Sequence, residues 1–145
     1  HRHMPDILER LRERVPEDAD LQLPPPCYED MGAEAISFDE EAEVLVVRLP
    51  VRDRYQNPLR LMQGGYIAAA IDNTLGPLSF LVAPPSVTTQ MSTQYLRPVP
   101  PSVDYIDVEG RVAERAGRQL FLEATVRLPN GKTAARAQAT CRIRG

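Results

Sequence analysis

From Val87 to Ile143 the chain carries four runs of β-type pattern, and this constrains the fold more than any other feature of the sequence. Leu120, Leu122, Ala124, Val126 and Leu128 alternate with Phe121, Glu123, Thr125 and Arg127. Ala135, Ala137, Ala139 and Cys141 alternate with Arg136, Gln138, Thr140 and Arg142. A period of two means strands with one dry and one wet face. The runs Val87 to Val99, Val103 to Val112, Leu120 to Leu128 and Thr133 to Ile143 are separated by Pro100-Pro101, Ala116-Gly117 and the hairpin signal Asn130-Gly131. An antiparallel meander is expected.

Before Val87 the pattern changes. Ile67, Ala70, Ile71, Thr74, Leu75 and Leu78 recur at helical spacing after Gly64-Gly65, so one central helix is expected, with Pro77 kinking or ending it. Two β-like runs between Met31 and Leu49, split at Asp39-Glu40-Glu41, predict a hairpin. Pro5 to Val15 reads as a short amphipathic helix on the outside of the domain, with Ile7, Leu8, Leu11 and Val15 on one face and Pro16 as its stop. Pro24-Pro25-Pro26 reads as a stiff extended connector. At 145 residues the chain has room for one domain. The plan is α+β: five or six strands with one long helix set early among them. We divide it into a tag remnant (1–3), an N-terminal helix and Pro-rich connector (4–28) and the sheet-and-helix domain (29–145).

The missing residue types narrow the chemistry. Both histidines lie in His1-Arg2-His3, read as the remnant of an expression tag, so the chain from Met4 onward has none. Catalysis by a Ser-His-Asp or Cys-His pair, or at an HExxH zinc site, is thereby excluded. Carboxylates, amides, hydroxyls and backbone remain. Cys27 and Cys141 stand far apart with no CxxC spacing, which predicts free thiols and a reducing, cytoplasmic compartment. The longest mostly apolar stretch, Ile67 to Val87, is broken by Asp72, Asn73 and three prolines, so no membrane span is expected. A net charge of −3 and pI near 5.4 argue against nucleic acid, although Lys132 is the only lysine among 17 basic residues and the arginines suit isolated phosphates.

Two glycines opening a helix present backbone N–H groups at the positive end of its dipole, which suits an anion or a developing oxyanion; plain turn chemistry is the other reading. Asp72, in the middle of an Ala/Ile-rich helix, is a poor helix former there. Together, the segment from Asn57 through Gln63, Gly64 and Gly65 to Asp72 resembles the Asn-x5-His-Gly-Gly-x6-Asp signature of hotdog-fold acyl-CoA thioesterases of the phenylacetate-degradation group. The spacing matches throughout, with Gln63 in place of His. Tyr95-Leu-Arg-Pro98, Gly117-Arg118 and Asn130-Gly131-Lys132 are similar to that family's later strands, so the likeness spans roughly residues 30 to 143.

The resemblance implies a curled antiparallel sheet wrapped around one long helix, and hydrolysis of acyl-CoA thioesters without metal or cofactor. It implies that Gly64 polarises the thioester carbonyl, that Asp72 acts as base or nucleophile and that Thr88 helps hold water. Asn57 and Gln63 complete the implied set. Gln63 either donates to the thioester oxygen or merely caps the loop. Gly65, Arg97 and Arg118 are candidates for binding substrate, with Arg60 a further candidate for the coenzyme A phosphates. Eight positions of helix separate Gly64 from Asp72 by roughly 12 Å, too far for one thioester to touch both within one chain. A homodimer or dimer of dimers with the site at its interface is therefore expected. A binding protein that holds acyl-CoA on the same fold without turnover is the alternative reading.

Overall fold

Helical spacing from Ile67 to Leu78 does produce a helix, and it is the element around which the others assemble. The computed structural model describes residues 4–15 and 21–144; the His1–His3 segment and Pro16 lie outside them. In chain order come α1 (Met4–Arg14), α2 (Pro26–Asp30), β1 (Glu34–Asp39), β2 (Val44–Pro50), a 3-10 turn (Asp53–Tyr55), α3 (Gly64–Val82), β3 (Ser86–Tyr95), β4 (Tyr105–Ala116), β5 (Gln119–Arg127) and β6 (Thr133–Ile143). The strands form one antiparallel sheet in the order β1-β2-β4-β5-β6-β3, and α3 packs against every strand from β2 to β6. The expected α+β plan holds, with six strands.

The alternation in β5 and β6 is borne out. Leu120, Leu122, Ala124 and Val126 are buried, as are Ala135, Ala137, Ala139 and Cys141, and they face Ile71, Leu75 and Leu78 of α3 in one apolar core. Each fully buried leucine or isoleucine in it contributes about 1.5–3 kcal/mol relative to exposure. Gly110 of β4 lies under the helix. A Cβ there would come within 3.0 Å of Leu75 Cδ2 and 3.3 Å of Thr74 Cγ2, so the missing side chain is what lets α3 approach the sheet.

Three sequence expectations need correction. The meander covers β4, β5 and β6 only; β3 pairs with β6 at the sheet edge instead of with β4. The nine-residue link between β3 and β4, with Pro98, Pro100 and Pro101, is longer than a hairpin loop, and this allows the crossing. Pro77 does not end α3, which runs on to Val82. Gly76, just before it, has no Cβ to clash with the proline ring, and burial of Leu78 and Leu81 on the far side offsets the lost hydrogen bond. Pro26 is not all connector: it opens α2, where a missing N–H costs nothing, and Tyr28 of that helix is buried. The amphipathic helix α1 packs through the apolar face expected of it. It lies against α3 and β1, with Ile7 and Leu11 in the core and Arg14 Nε donating to the Phe80 carbonyl at 2.8 Å.

Gly110→Val should wedge α3 away from β4 and lower unfolding stability by about 1–3 kcal/mol, read from the denaturant midpoint. An unchanged midpoint would show that the helix does not need this close approach.

Candidate functional site

α3 begins where the sequence places it. Gln63 is its N-cap residue, with extended backbone; its carbonyl accepts the Tyr66 and Ile67 N–H groups, and its own N–H donates to the Tyr55 carbonyl at 2.8 Å. The Gly64 and Gly65 N–H groups are left without a partner among the described residues, as helix geometry leaves the first N–H groups of any helix. The Gln63 side chain is exposed and makes no capping bond, so it does not serve as the loop cap. Asn57 has a local task. Its Oδ1 accepts the Leu59 and Leu61 N–H groups at 2.9 and 3.1 Å, folding the 57–61 loop that delivers Gln63 to the helix start.

The Tyr95 hydroxyl donates to the Gly64 carbonyl at 2.9 Å, and a Cβ on Gly64 would strike the same ring at 3.0 Å. In the sequence Tyr95 stands out only as part of the Tyr95-Leu-Arg-Pro98 segment. Its position at the end of β3, facing the helix start, explains why residue 64 is glycine.

Two turns further along α3, Asp72 is exposed and accepts a hydrogen bond from Thr88 Oγ1 at 3.3 Å. That meeting depends on a β-bulge. Tyr95, Thr93 and Met91 pair with Ala135, Ala137 and Ala139, and so face the helix. Strict alternation would bring Thr89 inward next. The register shifts between Thr88 and Gln90, so Thr88 instead pairs with Cys141 and faces Asp72, while Thr89 Oγ1 turns to the Thr140 carbonyl. Cys141 lies behind this pair, with Sγ 3.8 Å from Thr88 Oγ1. Burial raises its thiol pKa, partly offset by the Thr88 and Ser86 hydroxyls, and the Asp72 charge raises it further.

Gly64 and Asp72 share one unbroken helix, so their separation of roughly 12 Å is fixed by helix geometry. The structure does not bring Arg97 and Arg118 together. Arg97 donates to the Thr133 carbonyl at the start of β6, whereas the Arg118 carbonyl accepts from Ile143 at its end, about 33 Å away along the strand. Arg60 is exposed on the 57–61 loop. A feature with no signal in the sequence is a largely apolar cleft of about 400 Å3 between α3 and the α1–α2 segment, with Asp72 on its rim. Among the described residues no group of three His, Cys, Asp or Glu side chains could hold a metal ion, and no helix is long and apolar enough to cross a membrane.

This architecture has close counterparts among solved structures. A candidate thioesterase, a phenylacetic acid degradation-related protein from Ralstonia eutropha, matches 94% of this chain and 98% of its own at 22% identity, with a TM-score of 0.79. The PaaI protein of the E. coli phenylacetic acid degradation operon matches 96% of each chain at 15% identity and a TM-score of 0.79. A Streptococcus mutans protein bound to acetyl-CoA matches 90% of this chain and 98% of its own at 21% identity and 0.72. This chain has the hotdog fold. No protein-family model and no curated protein sequence matches it. In this hotdog chain the loop from Asn57 leads directly into the Gly-Gly start of α3, and the helix Asp follows on the same helix.

Thiol chemistry checks the local geometry. Iodoacetamide should modify exposed Cys27 in the native protein and react with Cys141 at least about tenfold more slowly, because a buried thiol with a raised pKa carries little thiolate. Equal labelling would mean that the Thr88–Cys141 register is wrong.

Proposed function

We propose that this chain is an acyl-CoA thioesterase, working as a homodimer or a dimer of dimers with its active sites across the interface. The observation that carries the reading is Asp72, held by Thr88 of β3, on the same rigid helix as the unpartnered Gly64 and Gly65 N–H groups. The hotdog neighbours support the substrate class: one is solved with acetyl-CoA, and a hypothetical thioesterase from Streptococcus pneumoniae is solved with coenzyme A.

The dimer follows from the sheet edges. β1 is short and backed by α1, but β3 is ten residues long, exposed along most of its length and free of charge or proline. Such an edge invites a second strand. Thr88 sits at Asp72 and Tyr95 at Gly64, so β3 and α3 run in opposite directions past each other. A two-fold axis just outside the middle of β3 would pair two β3 strands antiparallel and, by the same operation, set Asp72 of one copy opposite Gly64 of the other. The arrangement also brings Arg118 of one copy and Arg97 of the other to the same end, where either can meet a coenzyme A phosphate.

In that site the thioester oxygen accepts the Gly64 N–H, with the Gln63 amide as a second donor and Gly65 leaving the approach open. Asp72 takes a proton from water, or itself attacks the carbonyl carbon. In the first case hydroxide adds to the carbonyl, the oxyanion rests on the helix N-terminus, and collapse expels the thiolate, which regains a proton. Thr88 holds one Asp72 oxygen and orients the water with its remaining lone pairs.

Asp72→Asn should lower thiol release from acyl-CoA by more than about 100-fold while the protein still folds. Thr88→Val should reduce turnover too, and Thr89→Val, one residue along, should not; the reverse order would place the bulge incorrectly. Near-normal turnover by folded Asp72→Asn would remove Asp72 from the chemistry.

Complementation tests the interface. Gly64→Val forces the Tyr95 ring aside and blocks the backbone, so it should be inactive, as should Asp72→Asn. Mixed dimers of the two should recover one working site of two, with subunit exchange verified by mass. Heterodimers without activity would mean that the site is built within a single chain.

A further inference from the structure

The cleft beside Asp72 is lined on one side by a stripe of α3 and on the other by Leu11 of α1, Leu23 and Pro25 of the connector and Cys27 of α2. We propose that it holds the acyl group of the thioester and selects neutral, apolar acyl groups of medium length, an inference that rests on the hydrolase reading above. Three observations carry it.

First, the cleft is continuous with the proposed chemistry. Asp72 is at once the Thr88 partner and part of the cleft lining, so an acyl chain attached to a carbonyl at Asp72 has this space directly beside it. At about 400 Å3 it lies within the ordinary range for small-molecule pockets. Second, the stripe is kept small. Ala69 and Gly76 flank Asp72 on the helix face that lines the cleft, and a Cβ on Gly76 would meet nothing within 4 Å. Glycine in mid-helix is unfavourable, and beyond easing the following Pro77 its absent side chain serves only to leave room. Third, apart from Asp72 the residues that line the cleft are uncharged. Asp72 is the only ionisable carboxylate or base among the lining residues and would repel an acyl group ending in a second carboxylate. The polar Asn73 is engaged within the wall, its Oδ1 accepting from the Cys27 thiol at 3.4 Å and its Nδ2 donating to Met31 Sδ at 3.4 Å.

The N-terminal segment thus acts on specificity. α1 and the prolines of the connector form the outer wall, and their placement is fixed by the burial of Ile7, Leu11 and Tyr28.

The test compares kcat/KM for acetyl-, octanoyl- and succinyl-CoA in the full chain and in two variants that fill the cleft from opposite walls, Gly76→Leu and Leu23→Trp. The wild type should prefer octanoyl to acetyl and accept succinyl least. Each filled variant should lower the octanoyl-to-acetyl ratio by about tenfold or more, because buried methylenes lose their place. If one variant fails to fold, the other carries the comparison. An unchanged ratio in a folded variant, or a wild-type preference for succinyl-CoA, overturns the proposal. Hydrolysis of none of the three by the wild type would instead overturn the hydrolase reading. The cleft is then judged by calorimetry with a non-hydrolysable octanoyl-CoA thioether: weaker binding to Gly76→Leu by about tenfold supports it, and equal affinity overturns it.

Discussion

The packing of α3 against five strands governs everything else in this molecule. Ile71, Leu75 and Leu78 lie fully or almost fully buried between the helix and the sheet, and Gly110 removes the one side chain that would hold them apart. A helix held this way cannot bend to bring its first turn to its third. The distance between Gly64 and Asp72, set by the rise of the helix, is therefore held by the core. Any reaction needing both an N-terminal donor and the carboxylate on one carbonyl must recruit the second of them from elsewhere, and this makes the oligomer a chemical requirement of the proposed mechanism.

The same rigidity explains how the sequence could be read so far. The α3 stripe and the β5 and β6 alternation are consequences of burying one face, and burial writes itself into residue type at fixed periods. Features set by exceptions to the period were hidden. Pro77 reads as a kink or a stop because propensity counts its missing hydrogen bond; the stop does not occur because the core counts Leu78 and Leu81 beyond it. The edge position of β3 is a matter of topology, with only the length of the loop after Tyr95 to betray it. Thr88 was reached through the resemblance to a family; alternation alone leads to Thr89, since a bulge is one residue that pattern cannot see. Arg97 and Arg118 were grouped by charge, and charge carries no information about the length of β6 that separates them.

Gln63 shows the limit from the other direction. Its spacing to Asn57 and Asp72 is legible, and the structure frees its side chain from the loop-capping task that would have been the plainest explanation for it. Asn57 takes over that structural work through two backbone hydrogen bonds. One amide fixes the loop, and the other is left exposed next to the helix N-terminus, where in the proposed site it serves as a neutral donor beside the Gly64 and Gly65 N–H groups.

Asp72 is placed between two open surfaces. On its β3 side lies an uncharged sheet edge suited to a second copy, and on its α1 side lies an apolar cleft closed by the N-terminal segment. A carboxylate in mid-helix costs stability in either a fully wet or a fully dry setting: wet, it wastes a position of the core helix; dry, it loses its hydration. At the boundary one oxygen accepts from Thr88 while the residue also lines the cleft. Dimerisation and acyl binding would each remove water from this boundary, one from either side, so the charge becomes less screened only when both are in place. In the proposed site Asp72 is therefore open to bulk water in a lone chain and closed off from it once the second copy and the acyl group are both in place.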